Sequence, residues 1–188
     1  SQYEIRSVLR VLFNSDHFKT KRVRFARVKS PIEHVVGAIR IAGSYRKPTL
    51  AMDDLAKRTL LMGQGPLRPP SVEGWHEGIE WIDSGGLMER INFVAKELGN
   101  IRLPGVHNII HRVASRGNGI FSPEELVDHC VDQIGPIDVS EETREVLAKH
   151  VSRRGNVDLK NHGCGSESEK RVGELLSLIS SNREYQLN

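Results

Sequence analysis

Three glutamates, a histidine and both tryptophans of the chain fall within one proline- and glycine-rich stretch, Gln64 to Trp81. Glu73, Glu77 and Glu80, with Asp83 just beyond, are the residue type that glycoside hydrolysis uses in pairs, one as acid and one as base or nucleophile. His76 lies among them. Trp75 and Trp81 can offer flat apolar faces to a sugar ring, a peptide or an aromatic ligand. Pro69 and Pro70 stiffen the backbone, so the side chains after them are held at low entropic cost. The same residues also suit a plainer role. The indoles can plug the core, each N–H bonded to a carbonyl, while Gly74 serves a turn and the carboxylates stay solvated. No spacing fixes the separation of any two carboxylates, so no catalytic residue is assigned.

Other reactive side chains are sparser. His107 and His111 are four apart, a spacing that can put two imidazoles on one metal ion. Residue 108 is Asn where the protease pattern has Glu, and a third ligand would have to come from elsewhere, such as His129 or Cys130. Two histidines at the edge of an apolar stripe are more often surface or packing residues, and no metal or cofactor is expected. His129 and Cys130 are neighbours, and neighbours on a helix point about 100° apart. Cys130 falls on the stripe of Leu126, Val127, Val131 and Ile134, as an inert buried thiol would. Cys164 stands in a glycine-rich loop beside His162. The segment Lys19 to Lys29 carries six basic side chains and no acid, with Phe25 among them. It could follow a phosphate backbone or serve as a solvated connector. A net charge of only +3 makes a nucleic-acid partner unexpected.

These residues must be positioned by helices. Ile5, Val8, Leu9 and Leu12 repeat at helical spacing between Tyr3 and Asn14. Ser30, Pro31 and Glu33 form a capping box with proline in the first turn, followed by Ile32, Val35, Val36 and Ile39 as the expected buried face and Gly43 as the stop. Further helices are expected over Thr49–Met62, from Asp83 or Ser84 to Leu98, over Gly105–Ser115, from Ser122 to before Gly135, from Ser140, and from Ser166. In the fourth, Leu87, Ile91, Val94 and Leu98 share a face. The 64–81 stretch cannot be one helix, because its prolines and glycines interrupt it. No alternating strand is evident. The fold class is therefore all-α, an irregular bundle of about seven or eight helices with one long Pro/Gly/Trp loop.

With 188 residues, 38% hydrophobic and 27% charged, the composition is that of a globular chain. Two cysteines are too few for a disulfide framework. No apolar run approaches the ~20 residues of a membrane span. Ser1 leads straight into a patterned helix, so the chain reads as a piece of something longer. The expected division is a core over 1–99 and a helical extension over 100–188 that packs on it, with the final helix returning to the first half.

Several short motifs occur in order. They are Val28-Lys29-Ser30-Pro31-Ile32-Glu33, Met62-Gly63-Gln64, Pro69-Pro70-Ser71-Val72-Glu73-Gly74-Trp75, Trp81-Ile82 and Arg90-Ile91-Asn92-Phe93. Ser181-Asn182-Arg183-Glu184-Tyr185-Gln186 closes the set. The ordered set resembles the C-terminal part of the bacterial family called domain of unknown function eighteen hundred. The resemblance covers roughly the first half and the last helix. It implies a larger, exported parent protein, in the periplasm or outside the cell, and supplies no catalytic residues to carry over. The resulting expectation is a non-catalytic binding or interaction module with a protein or carbohydrate partner. Its surface would include Trp75, Trp81, Glu73, His76, Glu77 and Glu80, on a loop braced by Pro69, Pro70, Gly74, Arg90 and Asn92. The alternatives are a carboxylate-dependent polysaccharide hydrolase, and anion or nucleic-acid binding through residues 19–29.

Overall fold

A computed structural model describes residues 4–45, 47–160 and 165–188. Among them, nine α-helices follow in order: α1 Ile5–Asn14, α2 Asp16–Lys19, α3 Pro31–Ala42, α4 Met52–Leu61, α5 Ser84–Leu98, α6 Pro104–Ala114, α7 Pro123–Ile134, α8 Glu141–Ser152 and α9 Glu167–Ser181. The fold is mostly helical, as the periodicity predicts. The exception is a two-stranded antiparallel ribbon, β1 Ile120–Phe121 with β2 Val157–Asp158. Two-residue strands are too short to show alternation, so the sequence gives no sign of them.

Helix starts are legible because side chains satisfy the free N–H groups there. Ser30 and Ser122 both form complete capping boxes, with Glu33 and Glu125, and both helices carry proline in the first turn. Asp83, Ser140 and Ser166 each accept from the N–H three residues on. Ser15 ends α1 by donating to Leu12 O and starts α2 by accepting from Phe18 N. This shared cap explains why the short α2 is hidden in the sequence.

α9 is the central helix. It packs on α5, α6, α7 and α8, burying Val172, Leu175, Leu176 and Ile179. One apolar cluster runs from Val35 of α3 through Val94, Ile110, Leu126 and Leu176 to Tyr185, so the core is continuous across residues 99 and 100.

Two helical faces are rotated from their expected directions. α3 buries Pro31, His34, Val35, Ala38 and Ala42, whereas Val36 is exposed. α5 buries Gly86, Arg90, Phe93, Val94 and Leu98, with Ile91 only partly covered. In both, the inward face carries a polar residue and small residues, which a reading by apolar side chains alone passes over. Two glycines let α3 and α6 approach closely. Gly43 ends α3 in the left-handed region at φ 69°. A Cβ on Gly105, in the first turn of α6, would overlap Ile41 O and sit 2.6 Å from the carbonyl carbon of Ala42. The two backbones therefore meet with no room for a side chain.

Candidate functional site

The 64–81 loop is held by its own hydrogen bonds. Gln64 N donates to Thr59 O at 2.8 Å, and Gln64 Oε1 accepts from Ile32 N at 3.0 Å. The latter bond ties the loop to an otherwise free donor in the first turn of α3. Trp75 Nε1 donates to Gly65 O at 3.0 Å, closing the loop on itself. Gly74 N donates to Ser71 O at 3.2 Å, with Gly74 at φ 104°.

The two indoles have different surroundings. Trp81 is only 7% exposed and packs beside Gly63, and its Nε1 has no hydrogen-bond partner. It therefore offers no face to a ligand. Trp75 is half-buried. The loop's exposed apolar side chains are instead Leu67, Val72 and Ile79. Glu73, Glu77, Glu80 and His76 are exposed, and His76 Nδ1 lies 2.9 Å from Glu80 Oε2. Pro69 and Pro70 are exposed, Gly74 is intermediate, and Asn92 lies on the solvent side of α5.

Arg90 binds away from the loop. It is fully buried, with Nε donating to Gln186 Oε1 at 2.8 Å and Nη2 to Lys29 O at 2.8 Å. The sequence expectation that Arg90 and Asn92 brace the loop through its carbonyls finds no such bond among the described residues. Arg90 braces the 182–188 segment instead. Around it, Lys29 Nζ donates to Tyr185 O at 2.7 Å and lies 4.1 Å from the centre of the Tyr185 ring. His34 Nε2 sits 3.2 Å from Arg90 O, and its ring meets Tyr185 edge-on at 5.7 Å. Lys29 N donates to Gln186 O at 2.8 Å, and Val28 bridges to Leu187. Segments 28–34, 90 and 182–187 thus meet at one buried polar hub. Three of the quoted motifs supply it: Lys29 comes from the first, Arg90 from the fifth, and Tyr185 and Gln186 from the last. Sequence reasoning passes over Lys29, His34, Tyr185 and Gln186 as partners. The signal available was that Lys29 and Arg90 stand inside those motifs.

The hub is strongly perturbed electrostatically. Burial, then the nearby Arg90 charge, pulls Lys29 down to about 8, and burial lowers Arg90 to about 10. Tyr185 is pushed up to about 12 by burial. Burial and the Arg90 charge pull His34 down to about 3, so its ring is neutral at pH 7. Because a carbonyl only accepts, Nε2 carries the proton. Glu33 is held at about 2, chiefly by Arg27, whose Nη2 lies 2.6 Å from Glu33 Oε1.

The His34 shift sets an acid dependence. The unfolded chain takes up the His34 proton near pH 6.5, whereas the folded protein refuses it down to about pH 3. The unfolded state binds more protons in that window, so stability falls as pH drops through it. Between pH 6.5 and 4.5 the decline belongs to His34, and below 4.5 protonation of Glu33 in the unfolded chain, which the folded protein resists to about pH 2, adds to it. Urea unfolding at half-unit pH steps is expected to show the decline in the wild type. A His34→Gln variant should be flatter above pH 4.5, and an equal slope in both would refute the assignment.

His107 and His111 are exposed, and no group of three or more potential ligands gathers among the described residues. Cys130 is fully buried, and burial pushes its thiol up to about 12, as an inert cysteine requires. His129 Nδ1 lies 3.0 Å from Arg116 Nη1. His162 and Cys164 lie outside the described residues.

The family model described as "Protein of unknown function (DUF1800)" matches residues 1–187. The chain belongs to the DUF1800 family. The match extends through α6, α7 and α8, which carry none of the quoted motifs, so DUF1800 membership applies to nearly the whole chain and not only to its first half and last helix. Comparison with curated proteins and with solved structures finds no match. Among the described residues of this DUF1800 chain, no helix is long and apolar enough to cross a membrane.

Proposed function

We propose that the chain is a non-catalytic binding module of a larger, exported bacterial protein, and that it engages a protein partner through the outer face of the 64–81 loop. The observation that carries this reading is the exposure of Leu67 (94%), Val72 (105%) and Ile79 (80%) on a loop fixed by internal hydrogen bonds. Single exposed aliphatics are ordinary, but several on one pre-ordered loop can be covered at little cost in conformational entropy. Glu73, Glu77 and Glu80 supply the polar rim that such a contact has around its apolar centre. Aliphatic side chains among carboxylates suit a protein surface better than a sugar, since the stacking faces of Trp75 and Trp81 are partly or wholly covered. The location outside the cytoplasm rests on the family resemblance.

The hydrolase alternative has less support. Glu73, Glu77 and Glu80 are all exposed, and the cavities of about 510 and 520 Å³ are walled by other residues.

The test uses a triple variant, Leu67→Asp, Val72→Asp and Ile79→Asp. Its unfolding free energy should stay within about 0.5 kcal/mol of wild type per site, because none of these side chains is packed. Immobilised wild-type chain should retain a defined envelope protein, and the variant should retain it at least ten-fold less. Equal retention by both, or none by the wild type, would overturn the reading. Release of soluble sugar from a polysaccharide, abolished by Glu73→Gln or Glu77→Gln, would favour the hydrolase instead.

A further inference from the structure

α1 is a helix without a core. It buries no residue, and its main packing is on the single turn of α2, through Phe13 against Phe18 with ring centres 5.0 Å apart. Yet Ile5, Val8, Leu9, Val11, Leu12 and Phe13 are all exposed, and at 100° per residue they cover more than half of the helix circumference. The narrower remaining face carries Arg6, Arg10, Ser7 and Asn14. Basic side chains then continue through Lys19, Arg22 and Arg24, and none of these five cations forms an ion pair with a described residue. Arg27 and Lys29 are engaged elsewhere, by Glu33 and by Tyr185. The only acids on this arm are Glu4 and Asp16. Glu4 is spent on capping α1 through Ser7 N, and Asp16 sits in the first turn of α2.

We propose that α1 and the basic segment after it lie on an anionic lipid surface, with the apolar arc in the acyl boundary and the arginines and lysines among the headgroups. A wide apolar arc bordered by uncompensated cations is what an interfacial helix needs. Each nearby cation adds attraction to anionic lipid. The area argues against a second copy of the chain on this face. A ten-residue helix is about 15 Å long, so its face offers on the order of 200–300 Å², well short of the ~800 Å² per partner of a stable protein interface. A lipid surface demands no matching shape and draws on charge as well as area. The arm can also dock without disturbing the bundle, since it contributes nothing to the core.

The test is co-sedimentation of the whole chain with vesicles of phosphatidylglycerol and phosphatidylcholine, and with phosphatidylcholine alone. Binding is expected only with the anionic lipid, at least ten-fold weaker at high salt because the charges are exposed. Leu9→Ser with Leu12→Ser, and Arg6→Glu with Arg10→Glu, should each weaken it at least ten-fold without moving the thermal midpoint of the bundle. A Phe13→Trp probe should shift its emission to the blue on the anionic vesicles. Equal binding to both lipids, no binding at low salt, or unchanged binding by either double variant would overturn the proposal. So would a concentration-dependent dimer lost in the leucine variant, which would assign the face to a second copy. The loop variant Leu67→Asp, Val72→Asp, Ile79→Asp should bind vesicles as wild type does.

Discussion

Arg90→Ala is expected to lower the unfolding free energy by about 3–4 kcal/mol, the sum of two lost charge-assisted hydrogen bonds and the void left by a long buried side chain. The physical reason is the isolation of the partners it leaves behind. Gln186 Oε1 and Lys29 O both accept from the guanidinium inside the protein, and both would lose that donor. The site is not ideal even with arginine, since among the described residues Arg90 Nη1 and Gln186 Nε2 have no partner and no carboxylate pairs with the guanidinium. Removing a buried charge recovers part of its desolvation cost, provided the volume is kept. Arg90→Met should therefore lose clearly less than Arg90→Ala. Urea titration measures both, and hydrogen exchange supplies an independent readout. The amide of Lys29, bonded to Gln186 O, and that of Asn188, bonded to Arg27 O, should lose protection in the alanine variant. A loss under about 1 kcal/mol for Arg90→Ala, or alanine and methionine variants of equal stability, would show that the hub is not what holds these segments together.

Gly105→Ala should be the other large effect, about 3 kcal/mol or more, because the added methyl meets backbone and not a movable side chain. Its neighbours would be Ile41 O and the carbonyl of Ala42, at the end of α3. Relieving the overlap requires α6 to move away from α3, opening contacts around Ala42, Val106 and Ile109 in the core. Gly37→Ala is the matched control. It lies inside the same helix α3, its added Cβ meets nothing within 4 Å, and its φ is not positive. Alanine there should stabilise by about 0.5–1 kcal/mol through helix propensity. Thermal unfolding followed by circular dichroism separates the two. Should Gly105→Ala be too unstable to purify, Gly105→Ala in a Gly37→Ala background, compared with Gly37→Ala alone, offers a second reading of the same contact. Comparable midpoints for the Gly105 and Gly37 variants would mean that the α3–α6 approach has slack the geometry does not suggest.

The helices were legible because their start signals are local. Ser30-Pro31 with Glu33 and Ser122-Pro123 with Glu125 each define a cap within four residues, whatever the rest of the chain does. The directions of the faces were less legible, because burial is decided by the neighbours. His34 and Arg90 turn inward where apolar periodicity put Val36 and Ile91, since each polar group finds a partner from far along the chain. The same limit applies to the candidate site. The loop's position and rigidity follow from Pro69, Pro70 and Gly74. Whether Trp75 or Trp81 faces outward depends on the packing beside Gly63 and on the bond to Gly65 O, which no spacing reveals. The exposed aliphatics Leu67, Val72 and Ile79 carried no chemical signal in the sequence, because nothing in their type distinguishes a solvent-facing leucine from a core one.

The hydrogen bond between Arg90 and Gln186 joins residues 96 positions apart. During synthesis α3 and α5 leave the ribosome long before their partners in the 182–187 segment. Until those residues emerge, the Arg90 guanidinium lacks its Gln186 acceptor and must remain solvated, although α9 is already available to pack along α5. A nascent chain halted before residue 182 should therefore be bound by holdase chaperones and cut readily by proteases. Release of a few more residues should convert it to a resistant form, because the 182–187 segment supplies the partners that Arg90 and Lys29 lack until then.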